Sequence, residues 1–300
     1  MTTPHVTDEL LTIRDWLRFA VSQFEASDIF FGHGTDNAYD EAVWLIMSAL
    51  HLPHDTLNNF LDSRLTTNER NKLADFIVQR ITLHKPTAYL VKEAWLQGFK
   101  FYVDERVIVP RSFIAELLSE DLSPWIEFPE MIESAADICT GSGCLGILLA
   151  NSFPNAAIDV VDISQDAIDV ANINIQNYGL ENQVTAIKSD MFSALKGKKY
   201  DLIISNPPYV DAPSMATLPA EYRNEPLLAL GSGTAGLDHT HTILREAANY
   251  LNDDGLLIVE IGHNRDALLE AYPDLAFTWL EVSSGNQFVF LLTKSQLLSI

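Results

Sequence analysis

The sequence predicts an open α/β fold with a mostly parallel sheet and a terminal antiparallel strand, preceded by a small helical domain. Helical periodicity fills the chain up to about residue 90, and an aromatic, β-branched stretch follows it. From about residue 134, short apolar strands alternate with amphipathic helices, as is typical of parallel sheets. We therefore expect a helical domain over residues 1–91 and a larger α/β domain over residues 92–300.

Three helices are predicted in the first domain. Thr7 is the expected cap of the first helix, because its side chain can accept a backbone N–H of the first turn. An apolar stripe at helical spacing then follows in the same helix: Leu10, Ile13, Leu17, Ala20, Val21 and Phe24. The second helix is predicted over 39–50 and the third over 67–84, and together the three form a small bundle.

A β-hairpin is predicted as the linker, within residues 92–112. Aromatic and β-branched residues lie on both sides of Gln97-Gly98, a pair that favours a turn. The linker therefore separates the bundle from the sheet.

The larger domain contains the predicted sheet. Its expected strands are 135–140, 157–162, 184–189, 200–205 and 255–261, and its expected helices are 144–151, 164–178 and 239–251. The stretches 277–281 and 287–292 are predicted to close the sheet as a terminal hairpin. Asp253-Asp254-Gly255 is interpreted as a turn that precedes its strand.

Charge restricts the partners that this chain can bind. The 300 residues are 47% hydrophobic, which excludes a disordered chain, and 41 acids against 19 bases give a net charge of −22. Nucleic-acid binding usually depends on clustered Lys and Arg, so we expect no direct binding to nucleic acid. A basic partner protein would be attracted by this negative charge. Keeping the protein soluble is a second role that the charge can have.

Cysteine usage and the lack of targeting segments predict a cytoplasmic protein without membrane association. Cys139 and Cys144 are too few for a disulfide framework and are interpreted as reduced packing residues. The first residues lack the features of a signal peptide, and no apolar run approaches the roughly 20 residues that span a bilayer. His239 and His241 diverge on a predicted helix, so no metal site is expected.

The first motif that indicates chemistry is a glycine-rich turn over residues 137–146. Glycines between a strand and a helix let the backbone approach a ligand closely, with the helix N-terminus behind it. Asp162 follows Gly141 by 21 residues, at the end of the next strand, where a carboxylate can accept both hydroxyls of a ribose. The pattern predicts a nucleoside cofactor. It also satisfies the dinucleotide fingerprint, which leaves an NAD-dependent oxidoreductase open.

The second motif is Asn206-Pro207-Pro208-Tyr209, directly after an apolar strand. Its prolines fix the turn and remove two N–H donors, so that carbonyl oxygens remain to accept hydrogen bonds. A planar NH2 group can donate one hydrogen to the Asn206 side chain and the other to the Pro207 carbonyl, while the Tyr209 ring packs on it. An oxidoreductase leaves this motif unexplained.

Together the two motifs resemble those of the class I S-adenosylmethionine-dependent methyltransferases that modify planar nitrogens, which have a Rossmann-like sheet. Asn-Pro-Pro-Tyr is shared by adenine-amino DNA methyltransferases and by protein-glutamine N-methyltransferases. Residues 101–112 and 189–192 are similar to segments of the glutamine family, and the resemblance covers essentially the whole chain.

Within the glutamine family, the chain resembles the branch that modifies a large-subunit ribosomal protein. Cys139 and Met191 depart from the branch that acts on peptide chain release factors, which usually has Gly and Trp there. Three segments are similar to the ribosomal branch: residues 32–37 with 40–42, residues 210–212 and residues 218–226.

The resemblance implies S-adenosyl-L-methionine as the cofactor and assigns residues to it and to the substrate. The residues implied for the cofactor are Asp137, Thr140, Gly141, Ser142 and Gly143 near its methionine portion, Asp162 at the ribose, Asp190 and Met191 at the adenine, and Asn206. The substrate amide is assigned to Asn206, Pro207, Pro208 and Tyr209, of which Asn206, Pro207 and Tyr209 are the implied catalytic residues.

The implied reaction is methyl transfer to the side-chain amide nitrogen of a glutamine in a basic ribosomal protein of the large subunit. Three alternatives remain: a release-factor methyltransferase, an adenine-amino nucleic-acid methyltransferase, which the net charge of −22 disfavours, and a non-catalytic ribosome-assembly factor. The helical domain over 1–91 is expected to recognise the substrate. The oligomeric state is left open.

Overall fold

Most of the N-terminal helices contribute to a common apolar core in the computed structural model, which describes residues 6–300 and only the backbone of His54. The N-terminal helices are α1 (Val6–Glu9), α2 (Ile13–Glu25), α3 (Ala38–Ala49), α4 (Leu57–Phe60), α5 (Thr67–Thr82) and α6 (Thr87–Val91). Trp16 and Phe24 of α2, Leu45 of α3 and Ile77 of α5 are fully buried in this core. The predicted second and third helices are confirmed as α3 and α5, with ends within two residues.

The first long helix begins later than predicted. Thr7 lies inside the single turn of α1, and α2 begins after Thr12. The Thr12 hydroxyl accepts the backbone N–H of Asp15 at 3.2 Å, and the Asp15 carboxylate accepts the N–H of Thr12 at 2.9 Å. Because this reciprocal cap satisfies two N–H groups at once, it fixes the start of α2, and the prediction of a cap at Thr7 was wrong.

A segment from far along the chain belongs to the N-terminal unit. This unit comprises the chain up to Trp95 together with 103–105 and 219–225, and the remaining residues form a second unit, the sheet unit. We call residues 219–225 the strap. The boundary predicted at residue 91 had placed the strap in the larger domain, whereas its contacts group it with the N-terminal unit.

Buried ion pairs hold the strap within its unit. Glu221 of the strap is 1% exposed, and its Oε1 accepts the Phe30 N–H at 2.8 Å and an Arg80 N–H at 2.9 Å. Arg80 is equally buried and also donates to Glu41 and to the carbonyl oxygen of Phe30. Burial by itself raises the pKa of Glu221. These hydrogen bonds outweigh that effect and hold the pKa below its ordinary value.

The sheet unit is built on a seven-stranded sheet, and a hairpin precedes it. The strands are β1 (Ala94–Leu96) and β2 (Phe99–Phe101) in the hairpin, then β3 (Ser134–Ile138), β4 (Ala157–Asp162), β5 (Val184–Lys188), β6 (Tyr200–Ser205), β7 (Leu251–Glu260), β8 (Thr278–Val282) and β9 (Gly285–Thr293). In the sheet they lie in the order β5-β4-β3-β6-β7-β9-β8, parallel from β5 to β7 and antiparallel beyond. This confirms the predicted mostly parallel sheet with an antiparallel end.

Two local features complete the strands. The hairpin turns at Gln97 and Gly98, both with left-handed backbone, as a tight hairpin turn requires, and the division between the two units passes through this hairpin. The predicted turn at Asp253-Asp254-Gly255 was wrong, because these residues lie inside β7, where its register with β6 is irregular.

Helices lie before, between and after the strands of the sheet unit. They are α7 (Ile114–Leu118), α8 (Cys144–Ser152), α9 (Gln165–Tyr178), α10 (Ala212–Thr217), α11 (Asp238–Glu246), α12 (Arg265–Ala271) and α13 (Lys294–Leu297). The strands between them are strongly apolar: Ile138 of β3 and Ile203 of β6 are fully buried. Across residues 6–300, no helix is both long enough and apolar enough to cross a membrane.

Candidate active site

The strand order places a crevice at the carboxyl ends of β3 and β6. The chain passes from β3 outward through β4 and β5, then returns to β6 on the other side of β3. Ligands of open α/β sheets bind outside the strand ends at such a reversal. A pocket of the sheet unit lies there, and its lining includes six residues that the sequence predicted as site residues: Gly141, Asp162, Asp190, Met191, Asn206 and Pro208.

The glycine-rich turn follows β3 and forms one wall of the crevice. Gly143 has a φ of +80° and caps α8, and a Cβ there would lie 3.2 Å from the Cα of Ala171 on α9. Only glycine therefore satisfies both the backbone conformation and the helix packing. Cys139 also has a left-handed backbone, with a φ of +64°, which is uncommon for a residue with a side chain. Burial raises the pKa of its thiol, as expected of a packing residue.

Asp137 lies at the end of β3, fully buried, beneath this turn. Its Oδ2 accepts the Thr140 hydroxyl at 2.5 Å, whereas its Oδ1 has no hydrogen bond of normal geometry within residues 6–300. Burial, together with the charge of Asp162, raises the pKa of Asp137 to about 7. A buried carboxyl group with one unsatisfied oxygen is suited to a cationic or hydrogen-bond-donating ligand.

Asp162 ends β4 and is anchored by the backbone on both sides. Its Oδ2 accepts the N–H of Gly141 at 3.0 Å, and its Oδ1 accepts the N–H of Ser164 at 2.9 Å. Burial raises the pKa of this carboxyl, and hydrogen bonds from the backbone N–H groups of Ser164, Gly141 and Ile163 partly offset the rise. Each carboxylate oxygen has a further lone pair, so the group can accept a pair of ligand hydroxyls as well.

The loop after β5 forms a third part of the pocket. Met191 has a φ of +46°, and the Ser189 hydroxyl donates to its carbonyl oxygen at 2.6 Å. The Met191 sulfur lies 3.9 Å from that of Cys139. Asp190 lines the pocket and is exposed. This loop therefore presents an apolar thioether next to a carboxylate.

The Asn-Pro-Pro-Tyr turn follows β6. The Asn206 Nδ2 donates to the carbonyl oxygen of Arg111 at 3.0 Å, which leaves the side-chain oxygen to accept from a ligand. Pro207 and Pro208 are buried. The Tyr209 carbonyl accepts from Asn264 at 2.7 Å.

The Tyr209 ring requires a glycine next to it. A Cβ on Gly262 would lie 2.6 Å from a ring carbon of Tyr209, so the glycine admits the aromatic side chain. The turn after β7, which contains Gly262, thus shapes the Asn-Pro-Pro-Tyr turn.

Glu260, at the end of β7, is a site residue that the sequence reasoning missed. It is 2% exposed and accepts the Ser112 hydroxyl at 2.6 Å, the Phe113 N–H at 2.8 Å and the Tyr209 hydroxyl at 3.4 Å. Burial raises its pKa to about 7. Glu260 thereby ties the segment next to Arg111 to the Asn-Pro-Pro-Tyr turn. A carboxylate directly after the apolar run 256–259, at the end of β7, was the signal that could have identified it.

His239 at the start of α11 is a second missed residue. It lines the pocket, and its Nδ1 lies 2.7 Å from the Ser232 hydroxyl. Burial lowers its pKa, which favours the neutral ring. His241 instead contacts the Tyr272 hydroxyl, at 2.9 Å. The two histidines therefore diverge, and only His239 contributes to the pocket.

Comparisons with known proteins agree with this geometry. The family model described as methyltransferase small domain matches residues 116–219. The catalytic domain of hMettl16, solved in complex with the MAT2A 3′UTR hairpin 1, superimposes with a TM-score of 0.50 at 14% identity, over 79% of this chain and 84% of that one. This likeness shows the shared α/β fold.

Closer relatives match nearly the full length. The ribosomal protein uL3 glutamine methyltransferase of Neisseria gonorrhoeae is 59% identical over 97% of both chains. The enzymes of the same name from Bordetella pertussis and Francisella tularensis are 51% and 48% identical, over 96% and 97% of this chain and 97% and 93% of theirs. The resemblance to protein-glutamine methyltransferases is confirmed: this chain belongs to the family of the ribosomal protein uL3 glutamine methyltransferases.

Proposed function

We propose that this chain transfers a methyl group from S-adenosyl-L-methionine to the side-chain amide nitrogen of a glutamine in ribosomal protein uL3. The observation that carries the proposal is the Asn206 side chain, whose NH2 group is bound by the Arg111 carbonyl oxygen. Its oxygen therefore remains to accept a hydrogen from a planar NH2 group. The full-length relatives named for uL3 support the substrate.

The pocket residues match the chemistry of the cofactor. The unsatisfied Oδ1 of Asp137 suits the positively charged methionine portion, next to the backbone of Thr140 to Gly143. Asp162 is proposed to accept the ribose hydroxyls, and Asp190 and Met191 to border the adenine. When bound, S-adenosyl-L-methionine supplies a methyl group on a positively charged sulfur.

The Asn-Pro-Pro-Tyr turn is proposed to orient the substrate amide. An amide nitrogen is a poor nucleophile, because its lone pair is delocalised into the carbonyl group. Asn206 and the carbonyl oxygen of Pro207 accept the two amide hydrogens and hold the nitrogen in one orientation, while the Tyr209 ring packs on the amide plane. As the nitrogen–methyl bond forms and the sulfur–methyl bond breaks, the nitrogen becomes acidic, and one of its protons passes by way of its hydrogen-bond acceptor to water. Positioning and electrostatics therefore contribute more than a strong base.

A labelling experiment tests the function. The purified protein is incubated with methyl-labelled S-adenosyl-L-methionine and unmodified large-subunit proteins, with a release factor in a parallel reaction. We expect label in uL3, mapped by mass spectrometry to the side chain of one glutamine. Label confined to the release factor, or found on a residue other than glutamine, contradicts the proposal.

The affinity for the cofactor should depend on pH through Asp137. Its pKa of about 7 means that the carboxyl is largely protonated below neutrality. A cationic ligand favours the ionised form, so the Kd should rise about tenfold per pH unit below 7 and be flat above it. Calorimetric titrations at pH 6 and pH 8 measure this, and Asp137→Asn should remove the slope. If the pH dependence of the Kd persists in Asp137→Asn, a titrating group other than Asp137 causes it.

The same pKa affects the stability of the free protein. Because the pKa of Asp137 is raised from 3.8 to about 7, its contribution favours the fold below the lower value and is lost as pH rises through the higher one. Stabilisation by the cofactor should therefore be larger at pH 8 than at pH 6, as thermal melts can show.

Replacing Glu260 by glutamine should reduce turnover more than cofactor affinity. Glutamine has one acceptor oxygen in place of two, so it cannot, as glutamate does, accept from Ser112 and Phe113 on one atom and from Tyr209 on the other. We expect a roughly tenfold lower kcat, equivalent to about 1.4 kcal/mol, with the Kd for the cofactor within about twofold. Steady-state kinetics and calorimetry separate the two effects.

Glu116→Gln is the matched control, because Glu116 also accepts a hydroxyl and a backbone N–H, both from Ser283. Equal kcat losses in the two variants would argue against a positioning role for Glu260. The pH profile of kcat, measured at saturating cofactor, is a second readout. Any change of kcat that centres near pH 7 in the parent should be absent from Glu260→Gln.

A further inference from the structure

Large apolar side chains are exposed on the segment that leads into β3. Trp125, Phe128 and Met131 are 45%, 55% and 69% exposed. Leu122, just before them, and Ile126, between them, are buried, so the segment directs one set of apolar side chains inward and another outward. Single exposed apolar residues are ordinary, but three large ones within seven positions indicate a contact surface.

This surface is held in place by its own sheet unit. The Trp125 N–H donates to Leu122 at 2.9 Å, and the Glu130 carbonyl oxygen accepts from Asn155 at 3.0 Å. At its end, the Glu133 N–H donates to the Asp201 carboxylate at 3.0 Å. The exposed apolar side chains therefore project from a segment that is fixed by backbone hydrogen bonds.

Negative charge surrounds the apolar side chains. The exposed carboxylates of the segment are Glu120, Asp121, Glu127, Glu130 and Glu133. The sequence has no lysine or arginine between Arg111 and Lys188, so no basic residue of this stretch neutralises them. Residues 120–133, which we call the acidic docking surface, thus combine aromatic groups with carboxylates that no basic residue nearby in the sequence neutralises.

The charge selects the class of partner. A second copy of this chain would bring an identical acidic surface into contact, and nucleic acids and anionic membranes are repelled in the same way. A lysine- or arginine-rich protein segment is attracted, because its cations can pair with the carboxylates and also stack on the Trp125 and Phe128 rings. We propose that the acidic docking surface binds a basic segment of the protein substrate. This inference rests on the proposed function.

The position of the surface determines which kinetic constant it affects. It precedes β3, at the amino end of the strand, whereas the pocket lies at the carboxyl end, about 15 Å away along five residues. A segment bound there does not contact the reacting atoms. It should therefore lower the KM for the whole substrate protein without changing kcat, and it should not act on a short peptide.

The test compares two double variants with the same change of charge. Glu127→Lys with Glu130→Lys alters the docking surface, and Glu270→Lys with Asp274→Lys alters exposed acids elsewhere on the sheet unit. Direct binding of full-length uL3 is measured by calorimetry, and KM is measured for uL3 and for a short peptide that contains the mapped glutamine. A third variant, Trp125→Ala with Phe128→Ala, tests the apolar contribution.

We expect the docking-surface charge variant to weaken binding of uL3 and raise its KM roughly tenfold, about 1.4 kcal/mol, with the peptide KM unchanged. The control pair should change these constants less than about twofold. Equal effects of the two pairs, or none, overturn the inference. Failure of the unmodified protein to methylate uL3 refutes the proposed function instead, and the binding measurement still decides the docking surface. Thermal melts identify any variant that does not fold.

Discussion

Replacing Asn206 by alanine should lower kcat by about 10²–10³-fold, the loss typical of removing one hydrogen-bonding group aimed at the reacting centre. The Arg111 carbonyl oxygen holds the Asn206 NH2 group, so the side-chain oxygen has a fixed direction. Alanine removes the only side-chain acceptor of the Asn-Pro-Pro-Tyr turn that we propose for the amide. The amide nitrogen then keeps one of two anchors.

Binding of the cofactor should change far less in this variant. The residues proposed for the methionine portion and the ribose, Asp137 and Asp162, lie on other strands and keep their own hydrogen bonds. We expect a Kd for S-adenosyl-L-methionine within about threefold of the parent, since Asn206 only borders the pocket. Single-turnover kinetics with saturating cofactor, combined with calorimetry, measure both quantities.

Gln183→Ala is a suitable control for the loss of a side-chain amide. Gln183 also donates to backbone carbonyl oxygens, those of Phe153 and Pro154, but lies outside the pocket. It should retain the turnover of the parent. Turnover of Asn206→Ala within a few-fold of the parent would contradict the proposed mechanism. A parallel loss of cofactor binding would show that Asn206 serves the cofactor and not the substrate amide.

Sequence patterns predicted the parts of the site that follow strand ends. The apolar runs before Asp162 and Asn206 are β4 and β6 with the predicted bounds, because buried parallel strands leave a strong local signal. Polar residues directly after such strands necessarily lie at one edge of the sheet. The crevice could therefore be placed without coordinates.

The missed features depend on contacts between distant parts of the chain. Glu221 pairs with Arg80 across 141 residues, and neither residue stands out among the many charged positions nearby in sequence. Glu260 contacts Ser112 across 148 residues. Because a local pattern reports the direction of a side chain and not its partner, these contacts could not be derived from spacing. The cap at Thr12 is a different case, because its motif is local: Thr12-x-x-Asp15 is visible in the sequence and could have been used to predict where α2 begins.

Replacing Arg80 by methionine should destabilise the N-terminal unit by about 3–5 kcal/mol at pH 7.5. Methionine keeps much of the apolar stem but leaves Glu41 and Glu221 buried without the Arg80 guanidinium, and the His84 ring, 3.2 Å from Glu221, stays as a polar contact. An uncompensated buried charge costs far more than the pair contributes, because both ions have already lost their hydration. Urea unfolding, followed by hydrogen exchange in α3 and α5, measures the loss.

The pH dependence of this loss identifies its cause. In the parent protein the pKa of Glu221 is lowered, so its contribution is present above its ordinary value of 4.5 and is lost as pH falls. In Arg80→Met, burial without the cation raises the pKa of Glu221, and stability is then lost as pH rises above 4.5. The difference between the two proteins should therefore shrink between pH 7.5 and pH 5.

Arg14→Met provides the control, because Arg14 pairs with Asp62 on the surface, where the two side chains are 58% and 82% exposed. Water already solvates both groups, so this substitution should change stability little and without a pH trend. A loss in Arg80→Met that stays constant from pH 7.5 to pH 5 would indicate a packing defect in place of a buried charge. A loss as small as that of Arg14→Met would mean that the ion pairs do not hold the strap, and that its packing alone keeps residues 219–225 in the N-terminal unit.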